Sequence, residues 1–193
     1  AIILLAIFLR IIFFAGYVSG DDSAYIAHAF AYASGENFVP YSHWGTRTLI
    51  VLPTAAIFWL FGVSDLSAVI LPLLLSIACI YIAFLIGKEV ADERVAIIAA
   101  FLVAIFPMEV LYATQLFPYA FLSFFSAISF YCYLRGISTS SKRMFLLSGV
   151  CLGAAALCRI TALYCLLFFA LEAIVFRRIP KNSYLLILGV ALV

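Results

Sequence analysis

LSAVILPLLLSIACIYIAFLIG, residues 66–87, contains no charged side chain. A bilayer core of about 30 Å requires roughly 17 to 25 apolar residues per helix, so this stretch is expected to be a membrane-spanning helix. Comparable runs recur at Ile2 to Val18, Val95 to Tyr112, Pro118 to Leu134, Phe145 to Leu157, Ile160 to Phe176 and from Tyr184 onward. The composition agrees: 68% of residues are hydrophobic and 10% are charged, with a mean hydropathy of +1.25. These values lie far from those of a water-soluble domain. The expectation is an all-α, polytopic membrane helical bundle of about seven spans.

The chain opens AIILLAIFLR without an initiator Met and closes on LLILGVALV inside another apolar run, so it reads as a piece of a longer protein. The first run has no small-residue cleavage site and is interrupted by Arg10, so we read it as a retained helix rather than a signal peptide. Cys79, Cys132, Cys151, Cys158 and Cys165 all lie in apolar runs without metal-ligand spacing, and read as small buried hydrophobes. A net charge of +2 gives no footprint for nucleic acid.

Basic residues orient the chain, because loops on the cytoplasmic side collect Lys and Arg. Lys88 and Arg94 share one loop, Arg135, Lys142 and Arg143 the next, and Arg177, Arg178 and Lys181 a third. All three fall on one side if Phe145 to Phe176 is a pair of short helices turning near Arg159. LIVLPTAAIFWLFG, residues 49–62, is short for a span and carries Pro53; if it lies along the membrane, the long polar segment 19–47 falls on the opposite, extracytoplasmic side. The loop of about 19–62 is therefore expected to hold extracytoplasmic juxtamembrane amphipathic helices.

Within it, SGDDSAYIAHAFAYASG offers helix starts at Asp21, Asp22 and Ser23 and a stop at Gly35, which predicts a helix from about Ser23 to Ala33. Helical spacing aligns Asp21 with Tyr25, His28 and Tyr32, while Ile26, Phe30 and Ala33 form an apolar stripe suited to lying on the membrane. A carboxylate in this setting either accepts a proton from an attacking hydroxyl or amine, or caps the helix by accepting first-turn amide hydrogen bonds.

The order of motifs resembles that of the C-type glycosyltransferases, the GT-C superfamily that includes protein O-mannosyltransferases and the lipid A aminoarabinose transferase. In that pattern an Arg-bearing hydrophobic helix precedes Asp-Asp/Glu-x-x-Tyr, an amphipathic helix, a small-Gly turn and a second short helix. Here Arg10, GDDSAY, ASGENFVP, GTRTL and FWLFG follow in that order. IGKEVADERVAIIAAFLVAIFP and GVCLGAAALCRITAL are similar to the family's Gly-basic loop with Ala-rich helix and to its Gly-rich helix ending in a basic residue.

The resemblance implies that residues 1–193 are the N-terminal part of a transmembrane catalytic domain, in a plasma, inner or endoplasmic reticulum membrane, with its active site extracytoplasmic. It implies transfer of a sugar from a polyprenyl-phosphate-linked donor to a protein, lipid or glycan acceptor, with Asp21 as catalytic acidic residue and Asp22 and Tyr25 as its neighbours. A departing lipid phosphate needs cations, and Arg47 and Arg159 are the candidates; an interfacial anchor is the other reading of Arg47. His43 and Trp44 either contact the sugar or belong to an aromatic belt. His28 either lines the site or satisfies a surface hydrogen bond. Glu109 is read as an acceptor-positioning acid, or as ligand of a divalent metal together with Asp21; no cofactor is otherwise implied. Many family members carry an acidic residue a little further on, where this chain has TQLFPYA, and that departure weighs against a metal-dependent or two-acid mechanism. The competing class is a polytopic transporter or lipid flippase with Arg10, Glu109 and Arg159 as coupling charges; no internal repeat supports it.

Overall fold

The computed structural model describes residues 1–35, 42–175 and 182–193. Arg177, Arg178 and Lys181, and most of the ASGENFVP turn, lie outside the described residues. Every regular element among the described residues is helical. The helices are α1 (Ile2–Ile12), α2 (Asp21–Ala33), α3 (Thr48–Phe61), α4 (Asp65–Val90), α5 (Glu93–Ile105) and α6 (Pro107–Tyr112). They continue with α7 (Pro118–Thr139), α8 (Lys142–Cys158), a 3-10 turn at Ile160–Leu163, α9 (Tyr164–Val175) and α10 (Tyr184–Ala191).

Among the described residues, α4 and α7 are the helices long and apolar enough to cross a membrane; α1 and α3 are shorter apolar helices. The expected continuous span Val95 to Tyr112 is broken, because a residue before proline is driven out of the helical region. Phe106 accordingly sits at φ −65°, ψ 119°, and Pro107 restarts the chain as α6. The first helix stops at Ile12 rather than running to Val18. Past it, the Ala15 amide donates to Thr114 Oγ1 at 3.2 Å and the Gly16 amide to the Thr114 carbonyl at 3.0 Å. These bonds satisfy the backbone without continuing a helix. α4 starts on a Ser64–Ser67 capping box and α5 on Asp92, which accepts from the Val95 amide at 2.9 Å.

The bundle sorts its charges by end. At one end the α4–α5 and α7–α8 connections meet, where Arg135 pairs with Glu89 at 3.1 Å; Lys88, Arg94, Lys142 and Arg143 belong to the same two connections. At the other end lie the segment 13–22, the start of α4 and the α6–α7 connection, joined by Gly16 to Thr114 and by the close approach of Asp65 to Gly16. The helix α3 starts and finishes at this second end: it begins at Arg47, beside Arg159, and hands over to Asp65. It therefore lies across the end of the bundle, against α2, instead of running through it.

α8 breaks at Arg159, whose extended backbone (φ −160°, ψ 125°) leads into the 3-10 turn, as the sequence suggested. Besides α7, it packs closely against α10 rather than the following α9. A Cβ on Gly149 would collide with the Leu186 carbonyl oxygen, and one on Gly189 would stand 2.5 Å from that of Leu146. Small residues that let backbones approach are the usual means of packing helices where lipid removes the hydrophobic driving force. α9 instead rests on α7, with Tyr133 stacked on Phe169 at 4.2 Å and donating its hydroxyl to Glu172 at 2.7 Å.

Candidate active site

Asp21 and Asp22 open α2, where two carboxylates in the first turn complement the helix dipole. Neither is the N-cap, a position held by Gly20 at φ 128°. Side by side in sequence, they have opposite surroundings. Asp22 is 1% exposed; its carboxylate accepts from the Val18 amide at 2.8 Å and the Ser23 amide at 2.9 Å. It therefore folds the segment 18–22 onto the helix. Asp21 is exposed.

Tyr25 and His28, one and two turns on, are fully buried with Ala29 against Ile50, Val51 and Phe58. The aligned face thus turns inward onto α3, while Phe30 of the apolar stripe stands half exposed. His28 Nε2 shares a hydrogen bond with Ser42 Oγ at 2.8 Å, and burial pulls its pKa below the usual histidine range. The next two residues form a ring pair, His43 and Trp44, with centroids 4.0 Å apart; His43 is exposed, and Trp44 packs on the Tyr25 cluster.

Arg47 ends this loop and reaches back to α2. Its Nη1 donates to the Tyr25 hydroxyl, and the guanidinium sits 5.6 Å from that ring's centroid. Burial holds its pKa below the ordinary arginine range; repulsion by Arg159 adds to the shift and attraction by Asp21 opposes it. Arg159, projected from the break after α8, lies over the Tyr119 ring at 5.0 Å. Four separate segments therefore bring Asp21, Tyr25, Arg47, Tyr119 and Arg159 together. Among the described residues neither arginine forms an ion pair within salt-bridge distance. Two cations near enough to repel, both short of a carboxylate, form a region of positive potential that suits an anion.

Glu109 belongs to a different cluster. Its Oε2 accepts from Ser76 Oγ at 3.4 Å, and Ser76 in turn takes hydrogen bonds from Arg10 at 2.7 and 3.2 Å. Arg10, 1% exposed, also donates to the carbonyls of Ala6 and Ala104. Arg10 thus reaches the acidic Glu109 through a serine, and these bonds tie α1 to α4, α5 and α6. Among the described residues no group of three or more His, Cys, Asp or Glu is placed to hold a metal ion. Sequence reading passed over Tyr119 and Ser76 as site members. Tyr119 follows directly on the helix-starting Pro118, a position that fixes its ring at the end of the bundle; Ser76 carried no such signal.

A family model described as dolichyl-phosphate-mannose-protein mannosyltransferase matches residues 49–193. The matched region contains Arg159, Tyr119 and Glu109 and begins just past Arg47. No curated protein and no solved structure matches.

Proposed function

We propose that this chain, which belongs to the dolichyl-phosphate-mannose-protein mannosyltransferase family of glycosyltransferases, transfers a sugar with Asp21 as general base and Arg47 and Arg159 as the cradle for a lipid-linked phosphate. The observation that carries this reading is the pair of arginines, mutually repelling and without a salt-bridged carboxylate among the described residues, in the neighbourhood of an exposed aspartate. Each of the three residues comes from a different segment, so their convergence is a property of the fold.

In this mechanism Asp21 accepts the proton of an acceptor hydroxyl or amide as its oxygen or nitrogen attacks the anomeric carbon. The bond from that carbon to the phosphate oxygen breaks, and the phosphate departs with the electron pair. Arg47 and Arg159 stabilise the charge that grows on it, a contribution made mainly in the transition state. Tyr25 accepts a hydrogen bond from Arg47 and keeps the guanidinium turned toward the site. Asp22 acts through the backbone by holding the turn that carries Asp21. His43 and Trp44 offer aromatic faces near the mouth. The family description makes a dolichyl-phosphate mannose donor and a protein acceptor the first pair to try.

The site is assigned to the extracytoplasmic face of an integral membrane domain, with α2 and α3 at the membrane surface. The support is that basic residues gather at the opposite end of the bundle, as the charge rule for cytoplasmic loops expects. The transporter reading requires Arg10 to be a mobile coupling charge, whereas four hydrogen bonds hold it in place.

The test is sugar transfer from a lipid-linked donor by the membrane-embedded full-length protein. Asp21→Asn is expected to lower turnover by about 10² to 10⁴-fold with donor binding retained. Normal turnover by Asp21→Asn would overturn its assignment as base.

A further inference from the structure

Away from the arginine cradle, the seam between α1 and α4 is an open groove. Ile7, Ile11 and Phe14 line one side, Leu66, Ile70 and Leu74 the other, around a volume of about 540 Å³. Arg10 forms part of its floor, but its donors are already engaged with Ser76, Ala6 and Ala104, so the groove offers no free charge along its length.

A second cavity of about 440 Å³ lies toward α2, and the two linings come together at Gly16, where a Cβ would stand 3.1 Å from the Phe14 ring of the groove and 3.2 Å from the Asp65 carboxylate of the second cavity. Its lining adds polar groups, Ser23, Ser64 and Asp65, to an apolar wall that includes Tyr17, Ile26 and Phe30. Asp65 is exposed, and among the described residues it has neither ion pair nor hydrogen bond. The Tyr17 and Phe30 rings are 51% and 50% exposed, which leaves both free to wall the cavity. An apolar trough that ends in a pocket with hydroxyls and one unpaired carboxylate has the polarity profile of a lipid.

We propose that this composite site binds a bilayer lipid whose headgroup carries an ammonium group, with an acyl chain along the α1–α4 groove and the ammonium against Asp65. Charge complementarity selects the headgroup. A glycerol or bare phosphate headgroup would bring an anion to an unpaired carboxylate, whereas a primary ammonium supplies the missing cation and donors for Asp65, Ser64 and Ser23. The site is distinct from the donor cradle, because Arg47 and Arg159 do not line either cavity. The headgroup pocket includes Ser23, in the same helical turn as Asp21, so its occupant buttresses the turn on which the proposed base is mounted.

The test uses the purified full-length protein, delipidated and then offered equal amounts of phosphatidylethanolamine and phosphatidylglycerol, with bound lipid counted by native mass spectrometry. The wild type is expected to retain the ethanolamine lipid about fivefold over the glycerol lipid, the effect of one charge contact near a membrane surface. Asp65→Asn is expected to bring the ratio close to one, and Asp65→Glu to restore it. Leu74→Trp, which fills the groove, is expected to reduce retention of both lipids. Equal retention by the wild type, or an unchanged ratio in Asp65→Asn, would refute the site. Displacement of the ethanolamine lipid by added polyprenyl phosphate would also refute it, by making the groove part of the donor site. Arg159→Ala, which is expected to impair donor binding, should leave the lipid ratio as it is, so this outcome stands apart from the fate of the transferase mechanism.

Discussion

Arg10 and Arg159 are both arginines embedded in apolar sequence, yet their surroundings are nearly opposite. Arg10 is sealed between α1, α4 and α5, and its hydrogen bonds end on Ser76 and two carbonyls, with Glu109 behind the serine. Arg159 stands half-buried on a break in the chain, over an aromatic ring, with a second guanidinium nearby and, among the described residues, no carboxylate in salt-bridge contact. A buried cation with all three nitrogens engaged is at rest, and its removal costs stability. One left short of partners retains unspent electrostatic interaction, and its removal costs binding or chemistry.

The comparison is broken most forcefully at Arg10. Arg10→Met leaves Ser76 and the Ala104 carbonyl without their donor and Glu109 without its cation, and is expected to destabilise the protein by about 3 to 5 kcal/mol. Thermal unfolding in detergent would register this loss. Adding Glu109→Gln to Arg10→Met should recover part of it, since the uncompensated carboxylate is then gone. Transfer per folded molecule should stay near that of the wild type; a large fall would move Arg10 from the resting class to the working one.

At the other pole, Arg159→Ala is expected to lower turnover by about 10² to 10³-fold, comparable to removing one donor from a transition-state anion site, with little change in unfolding temperature. Arg159→Lys should restore only part of it, because a point charge replaces the planar fork. Loss of stability with unchanged turnover would make Arg159 a second Arg10.

The charge asymmetry that separates these regions was legible in the sequence because each charge near a membrane carries a large cost wherever it is placed. Grouping Lys88, Arg94, Arg135, Lys142 and Arg143 against Asp21 and Asp22 matches their separation between the two ends of the bundle. The break at Arg159 was legible for the same reason. Helix boundaries were less so. Ile2 to Val18 reads as continuous oil, and the stop at Ile12 is matched by long-range bonds from Ala15 and Gly16 to Thr114, which no local pattern encodes. Pro107 marks the break between α5 and α6, which the continuous apolar run from Val95 to Tyr112 conceals. The difference between Asp21 and Asp22 depended on which carboxylate captured the Val18 amide, a matter of how the chain folds back. Tyr119 under Arg159, and Ser76 between Arg10 and Glu109, are contacts between distant segments, and helical spacing reports only neighbours within one helix.

Protonation sharpens the comparison within the site itself. Burial lowers the pKa of His28, so the folded state disfavours its charged form. Above the ordinary histidine pKa of about 6.5 both folded and unfolded chains hold it neutral, and its contribution is constant. As pH falls below that value the unfolded chain binds the proton first, and stability declines toward the lowered folded pKa. Unfolding temperature is thus expected to drop between about pH 7 and pH 5.5, and His28→Gln should flatten that part of the profile. An unchanged slope in His28→Gln would show that other groups govern acid sensitivity.

The smallest effect is expected at the opposite end, where Arg135 and Glu89 pair at 3.1 Å with side chains 47% and 15% exposed. Water reaches the arginine and weakens the attraction, while Ser138 remains as a donor to Glu89 when the arginine is lost. Arg135→Ala should therefore change stability by less than about 1 kcal/mol and leave turnover unaltered. The measurement matters because α4 and α7, which this pair joins at one end of the bundle, also reach the end that carries Asp21 and Arg159. A fall in turnover without a fall in stability would mean that those helices transmit strain along their length, and that the two ends of the bundle do not act independently.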